Sequence, residues 1–322
     1  MRLDVSRGSL WEALKFKKVE RKEGHMASTV SPGQVKSSFY GPVDDAQRQA
    51  LLEGYLKYLN RRDGAYDPQT GTLQLREASL EEMNASALRF AGQMSQEDFD
   101  HLFANFSPAA RELSPELLML LVFCKMNAGE AYGVRVVKSV RGRKYMQRTD
   151  VASRIMMVAQ EEEEYHTRIL VGAANYFNIR VDGVYRAPLA LKVLIHSLAY
   201  APGSFFHPIL FASEASGVFI FNWTLNRVHE FYKDQPELQE ALAARLIEIL
   251  VDEIGHVAFN RLVLGPAGLS LGRILARQTV RGMSSFTPEL AALGFDRNAQ
   301  REFTRFDFTN LPEEVRNRGF FA

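Results

Sequence analysis

The sequence predicts a mainly α protein: two long antiparallel helical hairpins joined by a crossover, with extra helices at both ends. Three observations lead there. Between 114 and 265, four long stretches carry apolar residues at spacings of three and four, the period of a helix. Two turn-forming segments, RGRKYMQRTD (141–150) and KDQPE (233–237), each join two of these stretches as a short link joins antiparallel neighbours. Alternating strand patterns are scarce.

The elements follow in order. Residues 1–42 are basic, then rich in Ser, Gly and Pro, and read as a flexible tail. Within it GHMAS (24–28) resembles a cloning junction with Met26 as the native start, so 1–40 carry no functional weight. The remainder, 43–322, reads as a single domain whose metal-binding bundle spans 114–265. A helix is expected over 43–60, with acidic residues at its front. RRDGAYDPQTGT (61–72) reads as a loop. One or two helices follow over 79–106, with SQED (95–98) as a start signal.

Ser114-Pro115 opens the first long helix, which is expected to run to about Ser139 with proline at its first position. The second runs from about Asp150 to Tyr176. NIRVDGVYRAPL (178–189) is irregular, and 189–200 forms an apolar helix ending at APG. The third long helix spans about Pro208 to Tyr232. The fourth spans about Leu238 to Leu264 and stops at Gly265-Pro266. The rest, to Ala322, reads as mixed with short helices.

Composition narrows the function classes. A chain of 322 residues with 46% hydrophobic and 24% charged residues is ordinary for a globular protein, and a net charge of +1 gives no electrostatic case for nucleic acid. No stretch reaches eighteen uninterrupted apolar residues, so no membrane span is expected. Cys124 is the single cysteine, so an internal disulfide and cysteine-based metal sites are out. A reducing, cytoplasmic setting is expected. No G-x-G-x-x-G follows a strand, so no nucleotide domain is built in.

Two phrases repeat: GEAYGVRVV (129–137) and SEASGVFIF (213–221), each placing a lone glutamate among small residues. The other two long helices each carry Glu-x-x-His, as Glu163 with His166 and Glu253 with His256. At three-residue spacing a Glu and a His share one helix face. Measured from a turn centred near 146, Glu130 lies 16 residues before and Glu163 17 after. From a turn near 235, Glu214 lies 21 before and Glu253 18 after. Each lone glutamate therefore stands at nearly the height of its Glu-x-x-His partner. Glu230, 5 residues before that turn, stands roughly 20 Å away at 1.5 Å per residue and is rejected as a ligand.

Four carboxylates (Glu130, Glu163, Glu214, Glu253) and two imidazoles (His166, His256) suit two iron ions, Fe2+/Fe3+, about 3.5–4 Å apart; manganese at one position is left open. Burying an unpaired carboxylate costs several kcal/mol, so each apolar-helix glutamate needs a cation or a proton. In EEEEYH, Glu161 and Glu164 read as solvated, because one helix face cannot carry all four acids.

The doubled pattern resembles the ferritin-like di-iron carboxylate proteins over roughly 114–265, and within them most nearly the p-aminobenzoate N-oxygenase family. That family carries a further histidine four residues before the last glutamate, where this chain has Ile249. Leu170 stands where ribonucleotide reductase small subunits have a radical tyrosine, and Val218 where multicomponent monooxygenases have a threonine. The resemblance implies a ferritin-like four-helix bundle and an oxygenase acting on dioxygen and a small organic substrate. It also implies that Asp252 faces His166 and Glu162 faces His256 as hydrogen-bond partners. Electrons are expected from a ferredoxin or a flavin reductase, or from the substrate, and a homodimer is left open.

Apolar 187–221 is expected to shape the pocket. His207, two turns before Glu214, and Tyr132 and Tyr165, beside ligands, are weighed as pocket residues against capping and packing roles. An iron oxidation or storage protein is the alternative.

Overall fold

A computed structural model of the chain describes residues 41–321 apart from 65, 68, 70–71, 105–107, 127, 143–147, 182–188 and 307. The tail at 1–40, and with it the reading of 24–28, lies outside them. The described chain is mainly helical. In order it forms α1 (Asp45–Arg62), a minimal hairpin of β1 (Tyr66–Asp67) and β2 (Thr72–Leu73), α2 (Gln74–Asn84) and α3 (Gln96–Ala104). Then come α4 (Pro115–Lys125), α5 (Ala128–Val137), α6 (Val151–Val171), α7 (Leu189–Tyr200), α8 (Gly203–Phe231) and α9 (Pro236–Val263). The C-terminal part adds α10 (Pro266–Phe286), α11 (Pro288–Ala292), α12 (Arg297–Glu302) and α13 (Glu313–Arg318).

Local chemistry sets most ends. Asp44 caps α1 by accepting from the Ala46 N–H at 3.0 Å, and Asp150 caps α6 by accepting from Ser153 at the same distance. Ser95 and Asp98 bond each other reciprocally at the start of α3, where SQED predicts one. Ser114 caps α4, with Pro115 next in line.

Three expectations are corrected. The first long helix is broken: α4 ends at Lys125 and α5 begins at Ala128, followed by a π-helical turn over Lys138–Gly142. α5 starts on Ala128-Gly129, and glycine is a poor helix former. The loop over 61–72 contains the β1–β2 pairing, Tyr66 opposite Leu73 and Asp67 opposite Thr72. Gly265-Pro266 ends α9 but also starts the 21-residue α10, since proline fits a first helical position as well as a stop. Smaller shifts occur too: α6 yields at Gly172 to a 3-10 turn over Gly172–Phe177, and α8 starts five residues early with Pro208 inside it.

The core is a ring of helices. The α4–α5 pair packs on α6, α6 on α9, α9 on α8, and α8 back on α4. α1 and α2 cover α6, α1 and α13 cover α9, and α10 covers α8. α8 is apolar nearly all round because it is buried from several sides. By length and composition α8 qualifies as a membrane span, yet 67% of its most apolar window is buried inside the protein.

Candidate metal centre

The ring interior, otherwise Leu, Ile, Val and Phe, holds a compact set of charged groups from α6, α8 and α9. Glu163, His166, Glu214, Glu253 and His256 are all buried. Ligand atoms of Glu163, Glu214, Glu253 and His256 lie within 4.8 Å of one another. The two imidazoles face each other with ring centroids 5.8 Å apart.

The two Nδ1 atoms organise the cluster. His166 Nδ1 lies 3.3 Å from Glu163 Oε2 and 3.3 Å from Glu253 Oε1. His256 Nδ1 lies 3.0 Å from Glu163 Oε1 and 3.5 Å from Glu214 Oε2. Glu163 thus gives one oxygen to each histidine, the disposition of a bridging carboxylate. None of these contacts has good hydrogen-bond geometry: both Nδ1 atoms and Glu214 Oε2 are buried without a hydrogen bond. Donors about 2.1 Å from a shared ion, at right angles, would stand about 3 Å apart, the spacing seen here. The residues present are therefore compatible with a metal site.

The opposite ring nitrogens are fixed from outside. His166 Nε2 is 3.0 Å from Asp252 Oδ2, and His256 Nε2 is 2.9 Å from Glu162 Oε2. These are the two cross-helix pairs named from the sequence. They set each imidazole with Nε2–H outward and Nδ1 toward the cluster. Burial by itself lowers the histidine pKa values. The carboxylates Glu163, Asp252 and Glu253 around His166, and Glu162, Glu163 and Glu214 around His256, outweigh it and raise both well above the ordinary range. Burial likewise pushes Glu163 up, but the two imidazoles hold it at about 2. Cation binding at this cluster must release protons.

Behind the outer carboxylates stands a network that sequence reasoning missed. Arg76 from α2 bonds Asp252 through Nη2, places Nε 2.8 Å from Asp63, and reaches Glu162 Oε1 at 3.8 Å. Arg62 Nε donates to Asp252 Oδ1 at 2.8 Å, and its Nη2 to Glu248 at 3.0 Å. Asp63, Glu162 and Asp252 have the spacing of a second cation site, but the two guanidiniums supply the counter-charge. Three buried carboxylates sharing two guanidiniums favour one proton. Burial, and then Glu162, push Asp63 up to about 8. No single-sequence signal marks these residues: RRDG reads as the start of an ordinary loop.

The remaining expectations are placed as follows. Glu130 stands on α5, and its side chain lies outside the described residues. Tyr165 turns away from the cluster, donating to Glu77 at 2.7 Å, because its helix position faces α2 and β2. Tyr132 meets His196 of α7 at 3.0 Å, on the outer side. His207 is half-buried beside Phe206, one turn short of Leu210. Neither tyrosine nor His207 lines the cavity beside the cluster. That cavity, of about 40 Å3, is bounded by Met156, Ala159, Leu210, Phe259 and Asn260 together with Glu163, Glu214 and His256. Glu164 is exposed as expected. Glu161 is instead buried, paired with Lys138 at 2.8 Å. Glu230 is exposed and paired with Arg227, away from the cluster.

Glycine has a specific use at two places here. A Cβ on Gly217 would stand 3.1 Å from Glu253 Oε2, so the small residue leaves room for the carboxylate of the facing helix. A Cβ on Gly255 would stand 2.5 Å from the Tyr55 hydroxyl, so Gly255 lets α1 close against α9. No family model, curated protein or solved structure matches the chain.

Proposed function

We propose that the chain is a non-haem di-iron oxygenase on a ferritin-like four-helix bundle, oxidising a small organic substrate with dioxygen. The observation that carries this reading is Glu163 offering one oxygen to each of two inward-facing Nδ1 atoms. It is supported by the absence of good hydrogen bonds at those nitrogens. Glu163, His166, Glu253, Glu214 and His256 would hold the ions, with Glu130 as the sixth ligand. Two irons supply dioxygen binding and redox equivalents that no side chain here can provide.

The chain's own groups do the rest. Asp252 and Glu162 keep each Nε2–H outward, so that neutral Nδ1 lone pairs point inward. Glu214 comes from a helix apolar on nearly all sides, and Glu253 is fully buried, so each carboxylate needs a counter-charge that a cation would supply. Met156, Ala159, Leu210 and Phe259 give the cavity an apolar wall, and its volume of about 40 Å3 has room for the tip of a substrate or a few small molecules. The cavity lies against Glu163, Glu214 and His256, so a substrate end there sits beside the ions and not behind a helix.

Iron analysis and optical spectroscopy after aerobic loading test the reading. Two irons per chain with a ferric absorption band are expected. That band should be lost in Glu163→Ala and in His256→Ala. A band that survives both substitutions overturns the ligand set, and a growing mineral core would instead indicate iron storage.

A further inference from the structure

We propose that the outer face of α10 docks an acidic iron–sulfur electron-transfer protein; this rests on the oxygenase reading above. α10 buries the stripe Leu269, Gly272, Ala276 and Val280 against α8, with Gly272 closing on Phe211. Its other side exposes Arg277 and Arg281, a turn apart, with Arg273 beside them. The helix contains no acidic residue at all. Gln300 of α12 donates to Ser284 of α10 at 3.1 Å, which brings the exposed Arg297 and Arg301 up to the same end.

Between 266 and 306 the acids are few. Glu289 is buried on Lys125, Asp296 is engaged in capping α12, and only Glu302 is otherwise exposed. Elsewhere the chain's charges balance, with 39 basic and 38 acidic residues overall. The six arginines between 266 and 306 outnumber the three acids, so this segment is positive.

Apolar side chains stand within the arginines. Ile274 is 59% exposed and Leu271 36%. An apolar centre with an arginine rim is the make-up of a small protein interface, and electron-transfer encounters are the smallest and most charge-steered of these. A chain of net charge +1 is not the strongly basic domain that nucleic acid selects.

The position is right for delivering electrons. α10 lies one helix layer, about 10 Å, outside α8, the helix of Glu214. Ser216, two residues from Glu214, joins the layers by reaching the Ala276 carbonyl at 3.2 Å. A reduced cluster would give up one electron per encounter, so two encounters would supply the two electrons that a pair of ferric ions held by Glu163, Glu214, Glu253, His166 and His256 would take.

The test uses the iron-loaded full chain and a reduced plant-type [2Fe–2S] ferredoxin, mixed anaerobically in a stopped-flow instrument. Dithionite serves as the small-molecule control. The ferredoxin rate is expected to fall steeply with added salt, and to fall about tenfold or more in Arg277→Glu/Arg281→Glu. The dithionite rate and the melting temperature of that variant should be unchanged. A ferredoxin rate indifferent to both salt and the double substitution overturns the proposal. So does a protein that dithionite reduces and ferredoxin does not. Arginine-dependent binding to duplex DNA or anionic vesicles, without any effect on the ferredoxin rate, assigns the face elsewhere. A chain that takes up no iron fails earlier, at metal analysis, and that failure belongs to the oxygenase reading and not to the docking face.

Discussion

Gly217→Ala separates what folding wants from what the metal centre wants. α8 is a long helix, and replacing an interior glycine by alanine favours the helix by about 1 kcal/mol. The new Cβ, however, would stand 3.1 Å from Glu253 Oε2 and 3.5 Å from its Cδ. An ordinary contact begins near 3.4 Å, so the carboxylate must give way by a few tenths of an ångström. In the metal-free protein it does so by a small turn about a soft terminal torsion. With an ion bound it has no such freedom, because metal–ligand distances tolerate only about 0.2 Å.

The expected result is opposite signs. Apo Gly217→Ala should melt about 2 °C higher or at least no lower, while its affinity for Co2+, followed by visible spectroscopy, should fall about tenfold, or 1.4 kcal/mol. Gly133→Ala is the control. Nothing lies within 4 Å of its Cβ position, so only the helix term should show. Wild-type cobalt affinity and stoichiometry in Gly217→Ala would refute the claim that Gly217 exists to house Glu253.

Two further predictions concern the arginine network. Arg76→Leu strips one guanidinium from two buried carboxylates and should cost about 3–5 kcal/mol in urea unfolding. Arg318→Ala, at the half-exposed end of the same network, should cost about 1 kcal/mol or less. Asp63 gives a pH signature. Its folded pKa, about 8, lies above the ordinary 3.8, so the native state holds a proton that the unfolded chain releases. That contribution is complete below about pH 4 and is lost as the pH rises through 8. Urea midpoints of the metal-free protein at pH 5, 7 and 9 should fall more steeply for wild type than for Asp63→Asn.

The ring helices were legible because each signals itself within one segment. Apolar periodicity marks the helices, and Glu-x-x-His at the height of Glu214 marks the converging faces of α8 and α9, while the side chain of Glu130 lies outside the described residues. The pairs His166–Asp252 and His256–Glu162 were legible too, since fixed helix geometry and the resemblance together place them. What was not legible comes from tertiary placement. Arg62 and Arg76 lie 86 to 190 residues from the α6 and α9 carboxylates they hold, on helices whose own patterns are unremarkable. For Tyr165 the packing role holds over the pocket role, because adjacency to a ligand in sequence puts a side chain about 100° away round the helix, here toward Glu77 and Arg168. The length of α10 was missed because Gly-Pro was read only as a stop.

The repeated phrases around Glu130 and Glu214 suggest two equivalent halves, but the outer groups are unequal. Asp252 is bonded by both Arg62 and Arg76, whereas Glu162 meets only Arg76, at 3.8 Å. A carboxylate neutralised by two guanidiniums polarises its imidazole less than one left nearly alone. His256 is therefore the stronger donor, and it stands with Glu163, Glu214 and Glu253 in a group whose ligand atoms lie within 4.8 Å of one another. The ion at His256 should bind first. Titrating Co2+ into the apo protein should give two steps. His166→Ala should keep the tight step and lose the weak one, and His256→Ala should lose the tight one. Both variants can be checked for folding by their apo melting curves. Two equal steps, or a tight step that survives in His256→Ala and vanishes in His166→Ala, would show that the arginines do not discriminate between the halves. The asymmetry would then have to come from the ligands themselves.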